Sequence, residues 1–82
     1  MYYIYVLRSK KNSKNYVGFT SKSPSERLDE HNSGTNVFTR HNRPFELIYS
    51  ESYSDKIFAR KRERFLKSGN GRSFLKSKLA LK

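Results

Sequence analysis

The sequence predicts a small α+β fold: a mainly antiparallel three-stranded sheet flanked by three helices, in the order β-β-α-β-α-α. Three observations lead there. Tyr2 to Arg8 and Tyr16 to Thr20 are rich in β-branched and aromatic residues and are joined by the polar, basic link Ser9 to Asn15, which is the pattern of a hairpin. Helix-start signals occur at Ser23 and again at Ser54. Between those two helices, Phe45 to Glu51 alternates as a third strand would.

A period of two puts Tyr3, Tyr5 and Leu7 on one face of the first strand and Tyr2, Ile4 and Val6 on the other. Both faces are apolar or aromatic, as a central strand requires. Ser23, Pro24, Ser25 and Glu26 form a capping box with proline at the first helical position, and Gly34 supplies a stop. The helix Pro24 to Ser33 has little apolar content beyond Leu28, but Arg27 and His31, at i and i+4, share one of its faces. Pro44 opens the third strand, with Phe45, Leu47 and Tyr49 expected on one face. Ser54 is the expected N-cap of the second helix, which carries Phe58, Ala59, Phe65 and Leu66 as an apolar stripe. Gly69, Asn70 and Gly71 are expected to break that helix before a last one, Arg72 to Leu81, covers the sheet through Phe74, Leu75 and Leu79.

Composition bounds the function. Eighty-two residues imply one domain, residues 1–82, with little room for an enclosed cofactor cavity. There is no Cys, so disulfides, thiolate metal sites and thiol catalysis are excluded. The longest apolar run, Tyr2 to Leu7, is too short for a membrane span or a signal-peptide core, which points to a cytoplasmic protein. The net charge is +11, a field that favours polyanions, with nucleic acid first among them. It is unevenly spread: residues 1–22 carry +5, residues 23–55 carry −3 and residues 56–82 carry +9. The single acid of the last segment, Glu63, lies among Arg60, Lys61, Arg62 and Arg64.

Few catalytic designs fit these residues. With only His31 and His41 and no Gly-x-Ser-x-Gly turn, a Ser/His/Asp triad has no support. Two-metal phosphoryl chemistry needs clustered carboxylates, whereas Asp29 and Glu30 diverge on a helix and Asp55 sits at a helix start. Glu63 has two readings. It is either a surface carboxylate paired with Arg60 and Lys67 or a lone ligand for one divalent cation beside a phosphate. A tyrosine acting as base needs cations near its phenol, whose ordinary pKa is ~10. Arg27, on the same helix face as His31, offers a fork of donors suited to phosphate.

Tyr3, Ile4 and Tyr5, followed by Tyr16, Val17 and Gly18, resemble the two motifs that name the GIY-YIG nuclease family, with Tyr3 standing where glycine is usual. The resemblance continues through Gly18, Phe19 and Thr20, then Arg27, His31, Asn32 and Gly34, then Pro44 and Glu46, and ends at Glu63; it spans nearly the whole chain. Tyr16 to Gly34 is most similar to small stand-alone members and to the structure-selective branch. The resemblance implies cleavage of DNA phosphodiester bonds with one divalent metal, Mg²⁺ or alternatively Mn²⁺. It implies that Tyr5 activates water, that Tyr16 orders the water or the scissile phosphate, and that Arg27 stabilises charge building on the phosphate. It further places His31 near the reacting groups and makes Glu63 the metal ligand.

Two departures stand beside it. Phe19 occupies the place where several members carry a lysine that assists the base, which leaves Lys22 as a substitute, and Asn70 does not match the asparagine expected after the metal glutamate. The first reading is therefore a metal-dependent endonuclease, selective for DNA structure or for single strands, in a repair, recombination or mobile-element setting. The alternative is a binding module for DNA or RNA on the same fold, without catalysis. A membrane-surface role through the basic last helix ranks third. Lys22, Arg40, Arg43, Arg60, Arg64 and Arg72 are the candidate nucleic-acid contacts, and the basic stretch Thr39 to Arg43 reads either as a contact to the nucleic-acid backbone or as a solvated loop. No residues remain for a separate targeting domain, so specificity is expected from the core surface or from a partner protein.

Overall fold

A computed structural model describes residues 1–34 and 39–79 of the chain. Its elements are β1 (Tyr2–Ser9), β2 (Asn15–Thr20), α1 (Pro24–Asn32), a short 3₁₀ turn (Arg40–Asn42), β3 (Phe45–Tyr53), α2 (Lys56–Lys67) and α3 (Gly69–Leu79). The strands form one antiparallel sheet in the order β2-β1-β3, so the α+β architecture and the central first strand are as the sequence predicts. No helix among the described residues is long and apolar enough to cross a membrane.

β1 is central because both of its faces are buried. Ile4 and Val6 pack with Ala59, Leu66 and Leu75 beneath α2 and α3. Tyr5 and Leu7 pack with Phe45, Tyr16 and Leu28 beneath α1. The sheet thus has one core on each face, and the strand alternation decides which side chain enters which.

Four local expectations are corrected. In β3, Val6 faces Tyr49 but Leu7 faces Leu47, so Ile48 is an extra residue at a bulge. A bulge inverts the facing of the residues beyond it, and Tyr49 consequently joins the α2 face instead of sharing one with Phe45. Asp55, not Ser54, caps α2: its Oδ1 accepts from the amides of Ile57 (2.7 Å) and Phe58 (3.3 Å), two donors that a helix start otherwise leaves unpaired. The apolar stripe of α2 reduces to the buried Ala59 and Leu66, while Phe58 is 61% exposed. Finally, Gly69, Asn70 and Gly71 form the first turn of α3 and do not break a helix. The break is at Ser68, whose backbone is extended and whose Oγ accepts from Gly71 N at 3.2 Å. Residues 80 and 81, expected in the last helix, lie outside the described residues.

Gly71 lets α3 lie directly on α2. A Cβ there would overlap Phe65 O and Leu66 Cα and stand 2.7 Å from the Leu66 carbonyl carbon, all backbone atoms that cannot swing away. On the β3 side, Glu51 accepts hydrogen bonds from Arg62, Tyr53 and Tyr49. Arg62 Nε and Nη2 donate to its two oxygens at 2.8 and 3.0 Å, Tyr53 donates at 2.7 Å, and Tyr49 donates as well. Burial alone would raise the Glu51 carboxyl, but the bonds from Arg62, Tyr49 and Tyr53 bring it below its ordinary value. Tyr53 is pushed up to about 12, first by burial and then by its bond to Glu51.

Two outcomes are expected for stability. Alanine is the better helix former by ~1 kcal/mol, yet Gly71→Ala is expected to destabilise the fold by about 1–3 kcal/mol because the clash is with backbone, as read by urea unfolding; a rise in stability would contradict the packing. A carboxyl depressed in the fold stabilises it fully above its unfolded value and loses that contribution as pH falls through the folded one. The midpoint should therefore drop on acidification below the ordinary Glu range, and Glu51→Gln should flatten that drop.

Candidate active site

Tyr5 lies at the middle of β1, opposite Gly18 of β2 and Ser50 of β3. Its ring runs across Gly18. A Cβ at Gly18 would overlap Tyr5 Cζ and Oη and stand 2.7 Å from Cε1, so glycine is required for close approach and not for an unusual torsion. Tyr5 is 1% exposed.

α1 lays two side chains on the Tyr5 hydroxyl. Arg27 Nε donates to Tyr5 Oη at 3.4 Å, and His31 Nε2 lies 3.2 Å from the same oxygen. On the far side of the ring, His31 Nδ1 lies 2.7 Å from Thr39 Oγ1. A guanidinium can only donate, so the Tyr5 oxygen accepts from Arg27 and gives its own hydrogen to His31 Nε2. His31 then carries its hydrogen on Nδ1 and donates to Thr39. One tautomer satisfies the whole chain, and both His31 and Thr39 are buried. Tyr16 meets the His31 ring edge-on at 5.2 Å, and Phe45 closes the other side at 6.1 Å.

α1 is held in this position from both ends. Ser23 Oγ caps it by accepting from Glu26 N at 3.2 Å, and Gly34, with φ +83°, comes after its last turn. Asn32 clasps β3, its Oδ1 accepting from Phe45 N at 2.6 Å and its Nδ2 donating to Phe45 O at 3.1 Å. With so few apolar residues, this helix depends on those polar clasps and on the contact with Tyr5.

The electrostatics keep the cluster neutral apart from Arg27. Burial raises Tyr5, and the bond and charge of Arg27 oppose that without reversing it. Burial, followed by the Arg27 charge, lowers His31, which leaves a neutral imidazole at pH 7. Arg27 is raised, chiefly by its bond to Tyr5. Its Nη1 also pairs with Glu30 at 2.5 Å, and Glu30 in turn pairs with Lys22 at 3.0 Å. The ammonium of Lys22 is thus bound to Glu30 in this structure.

Glu63 lies elsewhere. It sits on α2, the helix of the opposite sheet face, and its side chain is 13% exposed. Arg60 holds Oε1 at 3.1 Å and Lys67 holds Oε2 at 2.9 Å. Arg60 also stacks over Phe19 of β2 at 4.1 Å, whereas Arg62 reaches β3. Glu63 therefore belongs to the β2 side of α2, along the outer strand that carries Tyr16. Arg40 and Arg64 are exposed, as is Arg72 in the first turn of α3. Arg43 Nη1 donates to Asn32 O at 3.4 Å. Within the loop expected to face nucleic acid, Thr39 turns inward to His31.

Sequence reasoning did not find Thr39 as a partner of His31, and no local pattern marks it, since Thr39 lies beyond the end of α1, eight positions from His31. It also missed Glu51. There a signal existed, because Tyr49, Glu51 and Tyr53 recur at the period that puts three polar groups on one strand face.

Two tyrosines on neighbouring strands, with an arginine and a histidine of the next helix closing on one hydroxyl, define a polar site built on a hairpin and its succeeding helix. The profile of the GIY-YIG catalytic domain matches residues 1–76, and the chain belongs to the GIY-YIG family, whose members are generally nucleases. A UPF0213 protein of Staphylococcus haemolyticus is 34% identical over 76 residues, covering 92% of this chain and 90% of its own. A UPF0213 protein of Staphylococcus saprophyticus subsp. saprophyticus shows the same identity over the same span.

The cluster makes two measurable demands. Gly18→Ala should displace the Tyr5 ring and lower stability by about 1–3 kcal/mol, with loss of the Tyr5 to His31 contact in side-chain NMR; an unmoved Tyr5 would contradict it. His31, depressed in the fold, contributes stability that is fully present above its ordinary value near 6.5 and lost as pH falls through its lower folded value. His31→Gln should remove that part of the acid-induced loss.

Proposed function

We propose that this protein is a metal-dependent endonuclease that hydrolyses DNA phosphodiester bonds, acting as a single domain in the cytoplasm. The observation that carries the reading is the Tyr5 hydroxyl held between Arg27 and His31 with Tyr16 against the same imidazole. Together with a +11 charge, it pairs a proton-handling chain with a cation suited to phosphate.

In this reading Arg27, 28% exposed, is the group of the cluster that meets the phosphate and stabilises the charge that builds on it. Tyr5 is itself 1% exposed and His31 is fully buried, so the attacking water meets the Tyr5 oxygen from the side of the partly exposed Arg27, which shifts as substrate binds. As Tyr5 Oη takes the water proton, it passes its own to His31 Nε2, which burial keeps neutral and able to accept. Thr39 holds the tautomer that makes this transfer possible. Tyr16 orients the water or the phosphate at the edge of the sheet.

A divalent metal fits Glu63 with a condition. No group of three His, Asp or Glu among the described residues could cage an ion, but Mg²⁺ keeps several waters and accepts one carboxylate plus substrate phosphate oxygens. Glu63 supplies that hard oxygen donor once Arg60 and Lys67, both long and more than half exposed, release it. When bound, the ion supplies Lewis-acid stabilisation of the phosphate and the leaving oxygen. The substrates proposed are branched, nicked or single-stranded DNA in repair, recombination or mobile-element settings, with a partner protein supplying further targeting.

One observation favours the binding module instead: both Glu63 oxygens already have cationic partners. A labelled panel of single-stranded, duplex, nicked, flapped and four-way-junction DNA, plus RNA, in Mg²⁺, Mn²⁺ or EDTA separates the two. The nuclease reading predicts metal-dependent products that Glu63→Gln reduces by at least ~100-fold, in the range of a lost transition-state stabiliser, with binding retained. Binding without products from either protein would leave the module. The rate should hold at neutral pH and fall only on acidification below the ordinary His range, since His31 must be neutral to accept the proton.

A further inference from the structure

A cleft of about 860 Å³ among the described residues lies outside the Tyr5 cluster. It opens between the link end of the β1–β2 hairpin and the helices α2 and α3. Its apolar wall is Val17, Leu66, Leu75 and Leu79, and its charged rim is Arg8, Lys14, Lys67, Arg72 and Lys76. No acidic residue lines it among those described. Ser13 and Asn15 add neutral polar groups at the hairpin end.

An apolar wall ringed by five cations suits a ligand that is part planar and apolar and part polyanionic. The volume falls within the range of sites that enclose a small organic group, ~300–1,000 Å³. The cleft also adjoins both halves of the site proposed above. Tyr16 lines it while packing on His31, and Lys67 lines it while holding Glu63. A strand with a phosphate beside Tyr16 would carry its neighbouring nucleotide towards this wall.

The geometry points to a subsite for one unpaired nucleobase next to the scissile phosphate, the base lying against Val17 and Leu79 over the buried Leu75 and the flanking phosphates on Lys14, Arg72 and Lys76. The inference rests on the nuclease reading for its place in the reaction, but not for its binding. Aliphatic side chains hold a base by shape and dispersion, so the subsite takes any base without reading its identity. Arg72 thereby gains a specific place, in the first turn of α3, among the basic residues singled out from the sequence.

The test is binding in EDTA, by fluorescence anisotropy, of a short single-stranded oligonucleotide and of the same strand with abasic positions. Expected is a loss of about ten-fold on removing bases, which shrinks to about two-fold in Leu79→Asn, a change at the end of α3 whose fold is checked by circular dichroism. Lys76→Ala should weaken both strands alike and lower the salt dependence. Equal base dependence in the parent protein and in Leu79→Asn, or no base dependence in either, would overturn the inference. So would a Leu79→Asn effect confined to vesicles of anionic lipid, which would make the cleft a lipid site. Cleavage of the panel is scored separately: base-dependent binding at the cleft without products would sink the nuclease reading and leave the subsite, and products with no cleft effect would do the reverse.

Discussion

The contact on which the other features depend is the Tyr5 ring lying across Gly18. It fills the space a side chain would take on β2, and so delivers the phenol oxygen to α1 at a fixed height above the sheet. Arg27 and His31 then have one shared target. Without that post, a helix whose apolar packing is nearly confined to Leu28 would have little to hold it to this face of the sheet. Packing, helix placement and site geometry thus converge on a single residue pair, one from each strand of the hairpin.

The two faces of the sheet divide the chemistry. The α1 face holds a buried, mostly neutral chain ending in one arginine, and the α2 face holds Glu63 in a ring of cations. β2, one of the two outer strands, is the seam between them: Tyr16 points to the first face and Phe19, under Arg60, to the second. Under the proposed function, substrate phosphate bridges this seam. A polyanion there would compete with Glu63 for Arg60 and Lys67, freeing the carboxylate for a cation as it binds. Substrate and metal are then mutually supportive, which explains how one carboxylate can serve without a preformed cage.

Much of this is legible from the sequence where spacing alone decides contact. The four-residue interval between Arg27 and His31 puts both on one helix face, and the structure has both on one oxygen. The alternation of β1 implies its two buried faces, and Glu63 holds the two ion pairs that one of its two readings puts at i−3 and i+4. What spacing cannot carry is lost. The bulge at Ile48 is a property of strand pairing, and it alone moves Tyr49 to the other face. Asp55 displaces Ser54 as cap because one carboxylate oxygen reaches two amides. Gly71 reads as a breaker, yet it serves a close helix approach. Thr39 lies beyond the end of α1, so no helical periodicity reveals its contact with His31.

The most direct test of the central claim is single-turnover cleavage by Tyr5→Phe alongside its thermal unfolding. The ring and its contact with Gly18 are kept, and only the oxygen shared by Arg27 and His31 is removed. A cluster that handles the proton and aligns Arg27 predicts a drop in rate of at least ~100-fold, with a shift in Tm of only a few degrees. An unchanged rate with a lowered Tm would contradict the account and make the Tyr5 cluster a device of folding alone.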